Sequence, residues 1–274
     1  MDLHGKTILI TGSTDGVGGW VARKVAADGA HVLLHGRSQE RGRAVLEAIR
    51  AEGGSAEFLP ADLSALAEVR HLAEAVLARH DRLDVLINNA GIGLGLDQTR
   101  RETSADGYEL RFAVNYLAGF LLTRLLLPAL RHGAPARIVN VASAGQQEID
   151  FDDVMLTHGY TGMRAYCQSK LAQILFTFDL AEELRGSGVT ATCLHPATHM
   201  DTTMVREGGF QPTSTVAEGG EAILALAVSP GREAESGVYF SGQHPARPLA
   251  QADDLAAREQ LRRLSVRLTG LEPG

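Results

Sequence analysis

Tyr166 and Lys170 have the residue types and spacing with the most specific chemistry in this chain. In the run AYCQSK they are four apart, so on a helix they share one face. An ammonium beside a phenol favours the phenolate. The expectation is a Tyr166 pKa lowered toward neutrality and a side chain that can give and take a proton near pH 7. Lysine is scarce, with only Lys6, Lys24 and Lys170, and tyrosine occurs 5 times, so this spacing arises by chance only about one time in twenty. Ser143 follows the run ARIVNVA and could donate a hydrogen bond to a carbonyl oxygen. Asn115 stands in an otherwise apolar helical stretch, where Asn is mildly unfavourable, which points to a buried polar task.

A second constellation suits a nucleotide. The run KTILIT is followed by TGSTDGVGGW, with Gly12, Gly16 and Gly18 interleaved with Ser13, Thr14 and Val17. A strand, a glycine-rich loop and a helix start form a phosphate cradle, because the backbone can approach a pyrophosphate at a helix N-terminus. The next apolar run ends His35-Gly36-Arg37-Ser38. Gly36 stands where an NAD site places an acid for the ribose 2′-hydroxyl, and Arg37 suits a 2′-phosphate. NADP(H) is therefore the expected cofactor, with NAD(H) left open. Asp15, in the glycine loop, works against the phosphate. Asn89, Ala90 and Gly91 end a fourth apolar run and are small enough to pack near a cofactor.

These residues need a frame that brings the ends of several strands together. Short apolar runs at 6–11, 30–36, 56–60, 83–88, 136–142, 189–195 and 237–241 read as strands. Segments of helical period lie between them at roughly 17–28, 39–52, 65–79, 106–131, 164–186, 217–228 and 251–268. Strands apolar on both faces and separated by helices predict a single α/β domain over 1–274. Its architecture is a doubly wound parallel sheet of about seven strands with helices on both faces, a Rossmann fold. Such sheets bind ligands at the carboxyl ends of their strands.

Composition sets outer limits. The 274 residues are 45% hydrophobic and 22% charged, ordinary for a globular chain, and the net charge of −7 argues against nucleic acid as a partner. Two cysteines, Cys167 and Cys193, make neither a disulfide framework nor a zinc site, so no metal is expected. The start, MDLHGKTILITG, carries no signal pattern, and no membrane anchor is expected. The apolar stretch 112–130 contains Asn115, Thr123, Arg124 and Pro128, which argues against a membrane span. A reducing, cytoplasmic setting is the expectation.

The motifs TGxxxGxG, Asp62-Leu63, NNAG, the helix Asn, the Ser after the fifth strand and YxxxK occur in this order over about residues 6–243. The chain resembles the short-chain dehydrogenase/reductase superfamily in its single-domain form. The run AYCQSKLAQILFTFDLAEEL, with DFDD before it, is most similar to the retinol dehydrogenase-like branch. The resemblance implies Tyr166 as general acid and base. It implies Lys170 as the group that lowers the Tyr166 pKa and holds the nicotinamide ribose, Ser143 as the group that positions a carbonyl, and Asn115 as the holder of a relay water. Asp62 and Leu63 would contact adenine, and Arg37 the 2′-phosphate. Asn89, Ala90 and Gly91 would line the cofactor. Pro196 and Thr198 lie in a loop that reads HPAT where the family usually has Pro-Gly, a departure at Ala197.

The implied reaction is hydride transfer between NADP(H) and the carbonyl/alcohol pair of a lipophilic small molecule. Ile92, Leu94 and Leu96, the segment between Ser143 and Tyr166, and a lid at 199–216 bearing Met200, Met204, Val205 and Phe210 are candidates to shape the pocket. The Ser143–Tyr166 segment is expected to cover that pocket. A homodimer through helices 106–131 and 164–186 is also expected by resemblance. Two alternatives stay open at this point: non-redox biosynthetic chemistry on the same fold, and a cofactor sensor.

Overall fold

A computed structural model describes residues 2–272. Along the chain lie β1 (Thr7–Ile10), α1 (Gly16–Ala27), β2 (His31–Gly36), α2 (Gln39–Ala51), β3 (Ser55–Pro60), α3 (Leu66–Leu77) and β4 (Val85–Asn88). A π-helical turn, Phe112–Leu117, runs into α4 (Ala118–His132). Then come β5 (Ala136–Val141), α5 (Gly162–Glu183), β6 (Val189–His195), α6 (Thr203–Glu207), α7 (Val216–Ala227), β7 (Val238–Ser241) and β8 (His244–Pro245). A 3-10 turn at Ala250–Asp253 precedes α8 (Leu255–Thr269). One sheet carries all eight strands in the order β3-β2-β1-β4-β5-β6-β7-β8, parallel except for β8 against β7. The seven expected strands are present. β8 and α6 were not anticipated, because two and five residues are too short to carry a periodic signal.

Alternation along each strand divides the core in two. Leu9, Leu33, Leu86 and Ile138 point into a cluster shared with α3, α4, α5 and α8. Ile8, Ile10, Val32, Leu34, Ile87 and Val139 point the other way, onto α1, α2 and α7. Each fully buried Leu or Ile contributes roughly 1.5–3 kcal/mol, so both faces of the sheet hold it closed. The connection from β1 through α1 runs to one side of the sheet and that from β4 to the other. The carboxyl ends of β1 and β4 are therefore neighbours at the crevice where the order reverses.

Three expectations change here. The helix expected from 106 starts only at about 110, because the Ser104 hydroxyl accepts from the backbone of Asp106 and Tyr108 and closes a turn there. Only the ends of the segment between Ser143 and Tyr166, at Ala144, Gly145 and Met163, line the cleft, and its middle turns into the core. Ile149 and Val154 are buried in the core, and Gln251 bonds both backbone groups of Ile149, at 2.7 and 3.1 Å. Gln168 on α5 accepts from Asp150 N and donates to Val154 O, so the segment braces α5 against the turn at 250–253. The apolar stretches expected at a dimer face are consumed within one chain. α8 lies along them, with Tyr116 Oη 2.6 Å from Ser265 Oγ, Tyr108 Oη donating to Leu268 O at 2.9 Å and Arg262 paired with Asp179 at 3.0 Å. By length and composition Phe112–His132 could cross a membrane, yet 72% of its apolar window is buried inside the fold.

His35 ties the strand ends together. Its Nδ1 accepts from Gly12 N at 3.1 Å and its Nε2 donates to Ala61 O at 3.2 Å, so the ring is neutral with the proton on Nε2. Burial pushes its pKa down to about 4.

Two outcomes follow from this packing. Light scattering at micromolar concentration should return the mass of one chain, and twice that mass would mean that a face other than the one covered by α8 makes a dimer. The unfolded chain protonates His35 below about pH 6.5, where the folded protein cannot. Stability should therefore fall between pH 6.5 and 4 by on the order of 3 kcal/mol from this residue. Denaturant melts of the wild type and His35→Asn across that range check it: the gap between them should narrow as pH falls, and parallel curves would contradict the assignment.

Candidate active site

A cleft of about 1080 Å³ opens along the carboxyl ends of the strands. Its nucleotide half is lined by Gly12, Thr14, Gly16, Val17 and Gly18 after β1, Arg37 after β2, Asp62 and Leu63 after β3, and Asn89, Ala90 and Gly91 after β4. Ser13 and Ser38 are not among the lining residues. Ser13 Oγ accepts from His35 N at 2.9 Å and fixes the loop to β2, while Ser38 Oγ accepts from Arg41 N and caps α2. Asn89 does two jobs: it lines the cleft, and its Nδ2 donates to Thr11 O at 2.9 Å and Gly12 O at 3.0 Å. Gly18 packs so closely that an added Cβ would sit 2.3 Å from Gly12 O and 2.4 Å from Asn89 Nδ2.

The donor set fits a dinucleotide with a 2′-phosphate. A Cβ at Gly36 would meet the Thr14 side chain at 2.6 Å, so the acid that takes a ribose 2′-hydroxyl would fit there only if Thr14 moved. Arg37 and Arg41 both line that end of the cleft. Sequence reasoning missed Arg41, although its spacing of four from Arg37 on a helix start was the available signal. Asp15, the acid that argued against a phosphate, lies 3.6 Å from Arg41 in an exposed pair and bonds Gly16 N at 2.7 Å.

In the catalytic half, Tyr166 and Lys170 lie one turn apart on α5, with Lys170 Nζ 5.7 Å from the centre of the Tyr166 ring. Lys170 is buried and donates to Val141 O at 2.9 Å and Gln173 Oε1 at 3.0 Å, both neutral acceptors. Burial pushes its ammonium down to about 7. The expectation for Tyr166 is corrected in sign: burial raises its pKa, and hydrogen bonding to Ser143 only partly offsets that. The cause is physical. Desolvation penalises the phenolate, and the hydrogen bonds of Lys170 go to Val141 and Gln173. At neutral pH the phenol keeps its proton. Ser143 Oγ accepts from Gly145 N at 3.0 Å, which fixes it facing the cleft.

Asn115 lies behind the cleft. Its Oδ1 accepts from Ile92 N at 2.8 Å, and its Nδ2 donates to Ile92 O at 3.1 Å and Ser169 Oγ at 3.0 Å. It ties the loop after β4 to α5 from within the π-helical turn, a distortion often found at functional sites. Gly91 keeps open the space between Asn115 and Lys170: a Cβ there would lie 3.3 Å from Asn115 Oδ1 and 3.6 Å from Lys170 Nζ. A buried polar ladder supports Lys170 from below. Asn88 Nδ2 donates to Asn140 Oδ1 at 2.8 Å, Asn140 Nδ2 to Thr177 Oγ1 at 2.9 Å, and Thr177 Oγ1 to Gln173 O at 2.7 Å. Sequence reasoning missed this ladder, although asparagines inside two apolar strands were a visible anomaly.

The open end of the cleft is apolar. Ile92, Leu94 and Leu96 line it together with Met200, Met204, Val205 and Phe210 from the lid. Phe210 stacks on His199 with ring centres 4.6 Å apart, and Thr203 Oγ1 donates to Asp15 Oδ2 at 3.4 Å. The lid thus lies over the glycine loop. Pro196 and Thr198 line the cleft, and Thr198 Oγ1 is 3.0 Å from His195 Nε2, so the HPAT loop keeps a hydroxyl there despite Ala197. Arg111, unnoticed in the sequence, is fully buried. It donates to Gly93 O at 3.1 Å, Leu94 O at 3.0 Å and Tyr160 Oη at 2.9 Å, which holds the floor of the apolar end.

Comparison with known proteins agrees with this geometry. The profile of the short chain dehydrogenase family matches residues 6–210. The chain is 37% identical to retinol dehydrogenase 11 from Homo sapiens over 284 residues, covering 99% of this chain and 88% of that protein. It is also 37% identical to polyprenol dehydrogenase from Mus musculus over 291 residues, covering 98% and 85%. Its fold matches the Pseudomonas aeruginosa RhlG/NADP active-site complex with a TM-score of 0.72 and 27% identity over 88% of this chain and 95% of that one. The glycine cradle, the ordered Ser143, Tyr166 and Lys170 and the extent of these matches lead to one conclusion: the chain belongs to the short-chain dehydrogenase family, as an oxidoreductase of alcohol and carbonyl groups similar to the retinol dehydrogenases.

Proposed function

We propose that the protein is an NADP(H)-dependent oxidoreductase that interconverts a lipophilic aldehyde or ketone and its alcohol, with Tyr166 as general acid and base. One observation carries the reading: a buried, protonated phenol shares a cleft with a nucleotide cradle that has two arginines and a glycine, Gly36, where an NAD site would place an acid. Bound in that cradle, NADP(H) supplies or takes up the hydride. Ser13 and Ser38 hold the cradle's loops, while Gly12, Thr14, Gly16, Val17 and Gly18 would hold the pyrophosphate. Arg37 and Arg41 would take the 2′-phosphate, Asp62 and Leu63 the adenine, and Pro196 and Thr198 the nicotinamide end. The RhlG complex with NADP supports this choice of cofactor.

Tyr166 donates its proton to the carbonyl oxygen, and Ser143 donates a hydrogen bond to the same atom. Lys170 would hold the ribose hydroxyls of the bound cofactor and pass protons toward the phenol. Asn115 and Lys170 bracket the space beside Gly91, where a relay water has polar partners on two sides. The lid residues Met200, Met204, Val205 and Phe210 give an adaptable apolar wall. The similarity to enzymes named for retinol and polyprenol, both lipophilic alcohols, supports a substrate of that class.

Tyr166→Phe tests this directly. It removes the acid and leaves the cradle intact, so kcat should fall by about 10²–10⁴ while NADPH affinity changes little. A Phe variant that turns over at close to the wild-type rate would remove Tyr166 from the mechanism.

A further inference from the structure

Three groups outside the cleft have the chemistry of a metal site. His31 opens β2, Glu57 lies in β3 beside it, and His80 follows α3. Their ligand atoms all lie within 4.8 Å of one another. His31 Nε2 is 3.5 Å from Glu57 Oε1, and His80 Nε2 hydrogen-bonds the same oxygen. Around a tetrahedral zinc ion, ligand atoms are about 3.3 Å apart, so His31 and Glu57 already stand at nearly that separation. His80 would have to withdraw by on the order of 1 Å for an ion to replace its direct hydrogen bond. All three side chains are partly buried and still reach solvent, at 33%, 20% and 17% exposure for His31, Glu57 and His80.

The surroundings are those of an oriented ligand set. His31 Nδ1 is 2.7 Å from Ser55 Oγ. Without an ion Nε2 donates toward Glu57 Oε1; on metal binding Nδ1 would donate to Ser55 and leave the Nε2 lone pair for the ion, the arrangement that outer contacts impose on metal-bound histidines. Arg79 Nη1 bonds Glu57 Oε2 at 2.8 Å, which fixes the carboxylate and leaves Oε1 facing the two rings. Two imidazoles and one carboxylate with an open fourth position suit a borderline transition cation rather than magnesium or calcium, which take oxygen ligands. The three residues sit toward the amino ends of the strands, away from the cleft at their carboxyl ends.

We propose that His31, Glu57 and His80 bind one divalent transition cation of the Zn(II) class, which clips the edge strand β3 to β2 and to the end of α3. The inference is independent of the catalytic reading. Calorimetric titration and thermal melts of the full chain, cleared of metal by chelator, test it with Zn(II). One ion per chain is expected, with a melting temperature raised by about 5–10 °C at roughly a hundredfold excess over Kd. His31→Ala and His80→Ala should each weaken binding at least about tenfold. Arg79→Met, which releases the carboxylate that Arg79 orients, should also weaken it, by less than loss of either histidine. His71→Ala, on the exposed face of α3, should bind as the wild type does. Absence of binding at millimolar Zn(II), or a thermal shift that survives in the His31→Ala/His80→Ala double variant, would overturn the site and leave an ion-pair network of Glu57 with His80 and Arg79.

Discussion

A buried lysine at the cleft wall, with no carboxylate partner among the described residues, is the constraint that the active half of this protein must satisfy. Among the described residues Lys170 hydrogen-bonds a backbone carbonyl and the Gln173 amide, both neutral, and burial moves its pKa to about 7. Such a group is tolerable only in a rigid polar setting, because a buried charge without fixed dipoles costs several kcal/mol. The ladder Asn88–Asn140–Thr177–Gln173 provides that setting across β4, β5 and α5. It also explains why α5 is buried on nearly every side along its middle turns: the helix carries catalytic residues on one face and packs on α8 with another.

The same constraint shapes the phenol. Tyr166 and Lys170 are both driven by desolvation toward their neutral forms, so the resting site stores a proton on oxygen. That state is ready to protonate a developing alkoxide. The reverse reaction needs the phenolate, which a positive charge introduced into the cleft favours. Direction is therefore coupled to what occupies the site, and the protein itself contributes a fixed geometry of Ser143, Tyr166 and Lys170 on rigid elements.

Much of this was legible in the sequence because it rests on local patterns. The glycine loop, NNAG, Ser143 and the Tyr166–Lys170 spacing lie where strand and helix periodicity put them. The parallel order follows from strands apolar on both faces. The Tyr166 pKa was misjudged because pair spacing reports proximity but not desolvation. Asn115 and Ser13 also tie neighbouring loops together, a task invisible in the sequence, since a residue type does not say which way a side chain turns. The role of the segment between Ser143 and Tyr166 was missed because Gln251, one anchor, is distant in sequence, and Gln168, the other, is unremarkable in type. α8 was recognised as a helix, but its docking on Tyr116 and Asp179 is tertiary information.

The most direct measurement is the consumption of NADPH absorbance by the wild-type protein across a panel of aldehydes and ketones of increasing apolar size, with NADH run in parallel. The account predicts NADPH oxidation matched by alcohol formation. Rates should rise with the apolar character of the carbonyl compound, and NADH should be used poorly. No oxidation with any carbonyl compound, or equal use of both cofactors, would contradict it.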